Sequence, residues 1–248
     1  MSFKDHFSGH ANAYAKYRPD YPPELFEYLA SLTPHKNVAL DCATGSGQAA
    51  VGLAEHFDLV IASDGSVSQL QNAEQHAHVT YIGNLAEQPA LRDGTVDLVV
   101  AAQAAHWFDH NRFYPEVKRV LKSDGALALW TYGLAYVEPQ IDAIVRHFYN
   151  DVVGSYWPPE RRWVESAYRD LPFPLQEISA PAFQLQLQWD LDSLIGYLGT
   201  WSAVQRYKRT TGHDPLPALR AEMAPCWGSP VNPRTVTWPL HLRVGKAH

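Results

Sequence analysis

Two hydrophobic periods divide this chain. Up to about residue 133, short apolar runs alternate with stretches of helical spacing. Val38–Leu40, Leu59–Ala62, Val79–Ile82, Val96–Ala101 and Ala126–Trp130 are runs of strand length, and an apolar run this short fits a strand buried on both faces. Helical patterns accompany them. Leu25, Leu29 and Leu32 share one face after Pro22-Pro23, and proline suits a first helical turn. Val51, Leu53, Ala54 and Phe57 mark a second helix, and Ser66 is the expected N-cap of a third, through about Ala77. Phe113, Val117, Val120 and Leu121 mark a fourth, from about Asn111 to a stop at Asp124-Gly125. Strands alternating with helices predict an α/β fold, with a mostly parallel sheet covered on both faces.

Past residue 133 the pattern changes. Residues 139–170 read as helical, with a break at Trp157-Pro158-Pro159. Phe183, Leu185, Leu187, Trp189 and Leu191 alternate with polar residues, which is strand period with one polar face. A helical stretch follows from about Leu191 to Tyr207, within a largely helical span 191–224. Val236, Trp238, Leu240, Leu242 and Val244 then alternate again. Pro239 inside this last run predicts a free edge or a bulge there. The two late strands are expected as antiparallel additions, for seven strands in all. The expectation is one domain over 1–248, with a core at about 34–133 and insertions at about 134–180 and 192–234.

Composition narrows the function classes. The 248 residues are 46% hydrophobic with a net charge of −6, enough for a packed core. That charge does not suit nucleic-acid binding, which depends on phosphate neutralisation. Cys42 and Cys226 are far apart and suggest neither a disulfide framework nor a metal site. The first residues lack an apolar stretch, and no run is long enough to span a membrane. A soluble cytoplasmic protein is the expectation. Six of the eight tryptophans fall in the last hundred residues, where they either pack a smaller subdomain or line a ligand site.

The chemistry is concentrated in residues 38–64. Asp41 ends the first strand, Gly45 and Gly47 follow, and Asp64 ends the second strand. Glycines let backbone turn tightly and approach a ligand at a helix start. An acid at the next strand tip accepts hydrogen bonds from a ribose. Gly45-Ser46-Gly47-Gln48-Ala49-Ala50 fits a dinucleotide pattern, so a nicotinamide-dependent oxidoreductase is one reading. Against it, Asp41 would repel a pyrophosphate. S-adenosylmethionine, which carries a sulfonium and no phosphate, is the other.

Asp41-Cys42-Ala43-Thr44-Gly45-Ser46-Gly47 resembles the first motif of class I S-adenosylmethionine-dependent methyltransferases. Leu85-Ala86-Glu87-Gln88-Pro89, Val96-Asp97-Leu98-Val99 and Arg119–Gly125 are similar to their later motifs, in order, over about residues 38–130. Tyr14–Pro19, Gln103–Asp109 and Tyr197–Ser202 resemble the methyltransferase type 11 subgroup that includes trans-aconitate methyltransferase-like proteins. The resemblance implies a Rossmann-like sheet, with helical insertions roofing the pocket. It implies S-adenosyl-L-methionine as cofactor, held by Asp41, Ala43, Gly45, Gly47, Asp64, Gly65, Ala86, Glu87 and Gln103. Ala43 stands where the motif has its first glycine, which predicts a slightly shifted turn.

The acceptor is harder to read. His106 and Trp107 follow the fourth strand, at the carboxyl edge where ligands bind in open α/β sheets. His106 either takes a proton from a nucleophile or serves as a wall of the pocket. Tyr14 and Arg18 are expected to fold over the cofactor, and Trp157, Arg161 and Trp201 to roof the substrate. The expected reaction is in-line methyl transfer to a small molecule by proximity. A carboxylate acceptor needs no base, and Arg18 or Arg161 could grip an acid bidentately. A non-catalytic cofactor-binding module is a further alternative. The oligomeric state is not legible.

Overall fold

The computed structural model describes residues 17 and 19–247; Tyr14 and Arg18 lie outside them. One eight-stranded sheet organises the molecule: β1 (Val38–Cys42), β2 (Leu59–Asp64), β3 (Val79–Gly83), β4 (Val96–Ala102), β5 (Leu121–Tyr132), β6 (Gln176–Ile178), β7 (Phe183–Trp189) and β8 (Arg234–Lys246). Its order is β3-β2-β1-β4-β5-β8-β6, with β7 also pairing β8. The first five strands are parallel, and β8 is antiparallel to β5, β6 and β7.

Both faces of the sheet are covered. On β4, Leu98 and Val100 join one core while Val96, Val99 and Ala101 join the other. The first core takes α1 (Pro23–Ser31) and α2 (Gln48–Ala54). The second takes α4 (His110–Val120), through Phe113, Val117 and Val120. The later helices α5 (Pro139–His147), α7 (Leu191–Gly199), α8 (Ser202–Thr211) and α9 (Leu216–Trp227) extend the first core without a break. Trp130, Trp201, Trp227 and Trp238 are buried within it.

Several expected boundaries moved. Helix α3 is short, Val67–Gln71, although Ser66 caps it as expected. Helix α4 ends at Val120, and Asp124-Gly125 lies in a bulge of β5, between the Val96↔Leu121 and Leu98↔Ala126 pairs. The helical stretch 191–207 is two helices, because Trp201 is extended and starts α8 afresh. Residues 176–178, expected within an insertion, form an eighth strand against Lys246–Val244. Pro239 pairs with Gln184 of β7. On its other side it falls between the Tyr132↔Leu240 pair and the Tyr136↔Thr237 bridge, a gap in the ladder that suits a residue without an N–H.

Asp97 joins three of these pieces. It is buried on β4, and its Oδ2 accepts from the amides of Asn37 at 3.1 Å and Val38 at 2.8 Å. Its Oδ1 accepts from Lys122 Nζ at 2.6 Å, in the β5 bulge. Asp97→Ala leaves two amides and an ammonium without the carboxylate they share. The expected loss is about 2–4 kcal/mol, read as a lower urea midpoint with an unchanged slope.

Candidate active site

The carboxyl ends of β1, β2 and β4 converge on one edge of the sheet. The β1 turn departs from ordinary backbone at three positions: Ala43, Gly45 and Gly47 have φ of 56°, 58° and 88°. Glycine adopts these angles freely, but alanine does so at a cost of about 1–2 kcal/mol. The turn therefore keeps a glycine-type path at Ala43, and the expected shift is absorbed as strain. A side chain at Gly45 would meet nothing within 4 Å, whereas one at Gly47 would strike the Tyr81 hydroxyl at 2.2 Å. Gly45 is thus the open face of the turn, and Gly47 lets β3 pack beneath it.

Two carboxylates flank the turn. Asp64 accepts from the amides of Gly45 at 2.9 Å and Ser66 at 2.7 Å, one on each oxygen. A carboxylate oxygen can accept more than one hydrogen bond. Gly65 lies between Asp64 and Ser66. Asp41 is fully buried; its Oδ2 accepts from Thr44 Oγ1 at 2.5 Å, and its Oδ1 has no hydrogen-bond partner among the described residues. Burial pushes its pKa up to about 7; the Thr44 hydroxyl opposes this, the nearby Asp64 adds to it, and the Ala50 amide in the first turn of α2 opposes it weakly. A buried carboxylate oxygen lacking a donor fits the ammonium group of an amino acid moiety, so the residues present suit S-adenosylmethionine.

The remaining expected cofactor residues serve the frame. Ala86 is buried, and Glu87 Oε1 accepts from the Asp109 amide at 2.8 Å, tying this loop to the start of α4. Gln103, at φ 54°, turns its side-chain amide onto β5. Its Nε2 donates to the Tyr132 carbonyl at 3.1 Å, while its Oε1 accepts from the Tyr132 amide at 3.3 Å and from the Thr131 hydroxyl. That side chain braces the pocket edge.

His106 and Trp107 lie in a single 3-10 turn, Ala105–Trp107, with ring centroids 4.7 Å apart. His106 is buried, and its Nδ1 lies 2.8 Å from the hydroxyl of Tyr168. Tyr168 comes from the insertion after β5, just past α6 (Arg161–Glu165), and was not foreseen. Nothing in its sequence neighbourhood signals it, because Ala167 and Tyr168 take positive φ without a glycine or asparagine.

The expected roof residues do meet. Trp157, Trp201 and Tyr149 form a ring cluster with centroids 4.8–5.6 Å apart. Arg161 lies over Trp157 at 4.5 Å, and its Nε donates to Tyr149 Oη at 2.8 Å. Its two terminal nitrogens make no hydrogen bond among the described residues. Burial pushes the pKa of the Tyr168 phenol up, and the Arg161 charge is among the groups that oppose this. Among the described residues no cluster of His, Cys, Asp or Glu could hold a metal ion, and no helix is long and apolar enough to cross a membrane.

Comparison with known proteins agrees with this geometry. The methyltransferase domain family matches residues 40–129. A protein of Dictyostelium discoideum that carries the name methyltransferase is 35% identical over 222 residues, covering 88% of this chain and 84% of that protein. A solved structure described as a type II methyltransferase, from Anaeromyxobacter dehalogenans, is 45% identical with a TM-score of 0.86, covering 93% of this chain and 98% of that one. A phosphoethanolamine N-methyltransferase of Haemonchus contortus, solved with S-adenosylhomocysteine, shares the fold at 16% identity and a TM-score of 0.51, covering 99% of this chain and 60% of that one.

Two substitutions probe the turn. Ala43→Gly removes the left-handed strain and is expected to stabilise the protein by about 0.5–1 kcal/mol, seen as a higher thermal midpoint. Asp41 holds its proton more tightly folded, at about 7, than at its ordinary 3.8. The native state therefore binds more protons between those values, and stability falls as pH rises from about 4 to 7. Asp41→Asn is expected to remove this fall, which denaturant melts across that range will show.

Proposed function

Because this chain belongs to the class I S-adenosylmethionine-dependent methyltransferases of the type 11 group, we propose that it methylates a small molecule bearing a carboxylate. Family membership sets aside the oxidoreductase and the non-catalytic module. The observation that carries the acidic acceptor is Arg161. Its guanidinium is stacked on Trp157 and held through Nε, leaving a fixed pair of N–H groups in the geometry that grips a carboxylate. A cation held rigid before binding loses little freedom when the ligand arrives.

In this reading Asp41 and the Gly45 turn hold the amino acid end of the cofactor, and Asp64 accepts from its ribose hydroxyls. When bound, S-adenosylmethionine supplies a methyl group on a positively charged sulfur. The chain's part is then to align the acceptor and exclude water. Trp157, Trp201 and Tyr149 supply the apolar wall, Trp107 the side next to His106, and Arg161 the register. The roles expected of Tyr14 and Arg18 fall on residues outside those described.

Labelled-methyl transfer to a panel of small acids, amines and phenols tests the proposal. Acceptors carrying a carboxylate are expected to be preferred. Arg161→Met is expected to raise their KM by about 10- to 100-fold, the worth of a charged hydrogen-bond pair, with cofactor affinity unchanged in calorimetry. Equal use of neutral acceptors, or an unchanged KM in the variant, would refute it.

A further inference from the structure

Strand β7 pairs with β8 on one side and with no strand on the other. Which of its backbone groups face that free edge follows from β8. Tyr136 and Thr237 exchange both backbone hydrogen bonds, at 2.8 and 2.9 Å, so the N–H and C=O of Thr237 point away from β7. The residue opposite Thr237 on β7 is Gln186, and the two form a non-hydrogen-bonded pair. The N–H and C=O of Gln186 therefore point to the free edge. The β7–β8 register runs without a shift, so the same holds two residues away in each direction, at Gln184 and Gln188. These six backbone groups have no hydrogen-bond partner among the described residues.

Free edges are commonly blunted by a charge, a proline or a bulge. Phe183–Trp189, with sequence FQLQLQW, carries none of these. Its apolar side chains are already used: Leu185 is buried, and Phe183, Leu187 and Trp189 pack on the first core. The three glutamines are exposed on the opposite face. The segment is also symmetric about Gln186. Gln184 matches Gln188, Leu185 matches Leu187, and Phe183 matches Trp189, aromatic for aromatic.

We propose that two copies of this chain pair through β7, antiparallel about a two-fold axis at Gln186, joining two eight-stranded sheets into one. In this register Gln186 meets Gln186 of the second copy, and Gln184 meets its Gln188. All of these are outward-facing residues, so each pair exchanges two backbone hydrogen bonds and every free group of the edge is satisfied. Leucine falls beside leucine, continuing the apolar layer, and glutamine beside glutamine on the exposed face. The nearest charge in sequence, Asp190, falls opposite Ala182, so no like charges oppose each other. The contact is isologous and closed, because it consumes the free β7 edge of both copies. Main-chain bonds supply the affinity, as in other strand additions, and the symmetry of the segment supplies the register.

Sedimentation equilibrium of the full chain over a concentration series, with amide hydrogen exchange followed on the same samples, tests this. Wild type is expected to show a monomer–dimer equilibrium without larger species, and the amides of Gln184, Gln186 and Gln188 to become protected as dimer forms. At the axis residue 186 meets its own copy. Gln186→Lys and Gln186→Glu are therefore each expected to weaken dimerisation by about 10-fold or more, and an equimolar mixture of the two to restore it as a mixed dimer. Thermal midpoints measured at concentrations where wild type is monomeric are expected to be unchanged, since Gln186 is exposed. A wild type that stays monomeric throughout, that forms open-ended oligomers, or that dimerises with these three amides unprotected overturns the proposal. So does a dimer equally stable in both charged variants. The exchange result needs no variant, so it decides the question even where a variant fails to fold.

Discussion

A carboxylate buried at the end of a strand with one oxygen unbonded sets the terms for this site. Asp41 lies at the end of β1, under the turn, and burial raises its pKa to about 7. A charge left there without a partner is unfavourable, so burial favours the protonated acid. A cationic ligand reverses that balance. The turn above Asp41 is shaped to bring such a ligand close, at the cost of a strained Ala43 and with the Gly45 face open. Asp64 holds the turn through the Gly45 amide, so the two acids and the turn form one unit.

The second half of the chain is joined to that unit by β8. This strand pairs with β5, β6 and β7, and its Arg243 holds the backbone carbonyls around Tyr168. The inserted helices are therefore anchored on the same sheet that carries the turn. Through Tyr168 they reach His106, and Arg161 sits among them on Trp157 and Tyr149. In our proposal, cofactor chemistry belongs to the first half and acceptor chemistry to the contact between the halves.

The alternation of short apolar runs with helical patterns was enough to reveal the parallel sheet and its two covered faces. These periods reflect burial, and burial on both faces leaves few other arrangements. The glycine turn and its two acids were legible for a similar reason: glycine and aspartate at strand ends carry conformational and charge requirements of their own. Local boundaries were less legible. The end of α4 and the Trp201 break depend on what each segment packs against, and the edge strand 176–178 exists only because β8 offers it a partner.

What the sequence alone determined, then, is the sheet and the kind of cofactor, because both are written in local patterns of burial and backbone freedom. Tertiary structure decided the roles of individual side chains. Gln103 reads as a ligand residue by position, yet its amide braces β5. Tyr168 carries no local signal, yet it meets His106 from 62 residues away. A partner that distant in sequence is fixed by packing, and only the folded arrangement brings the two side chains together.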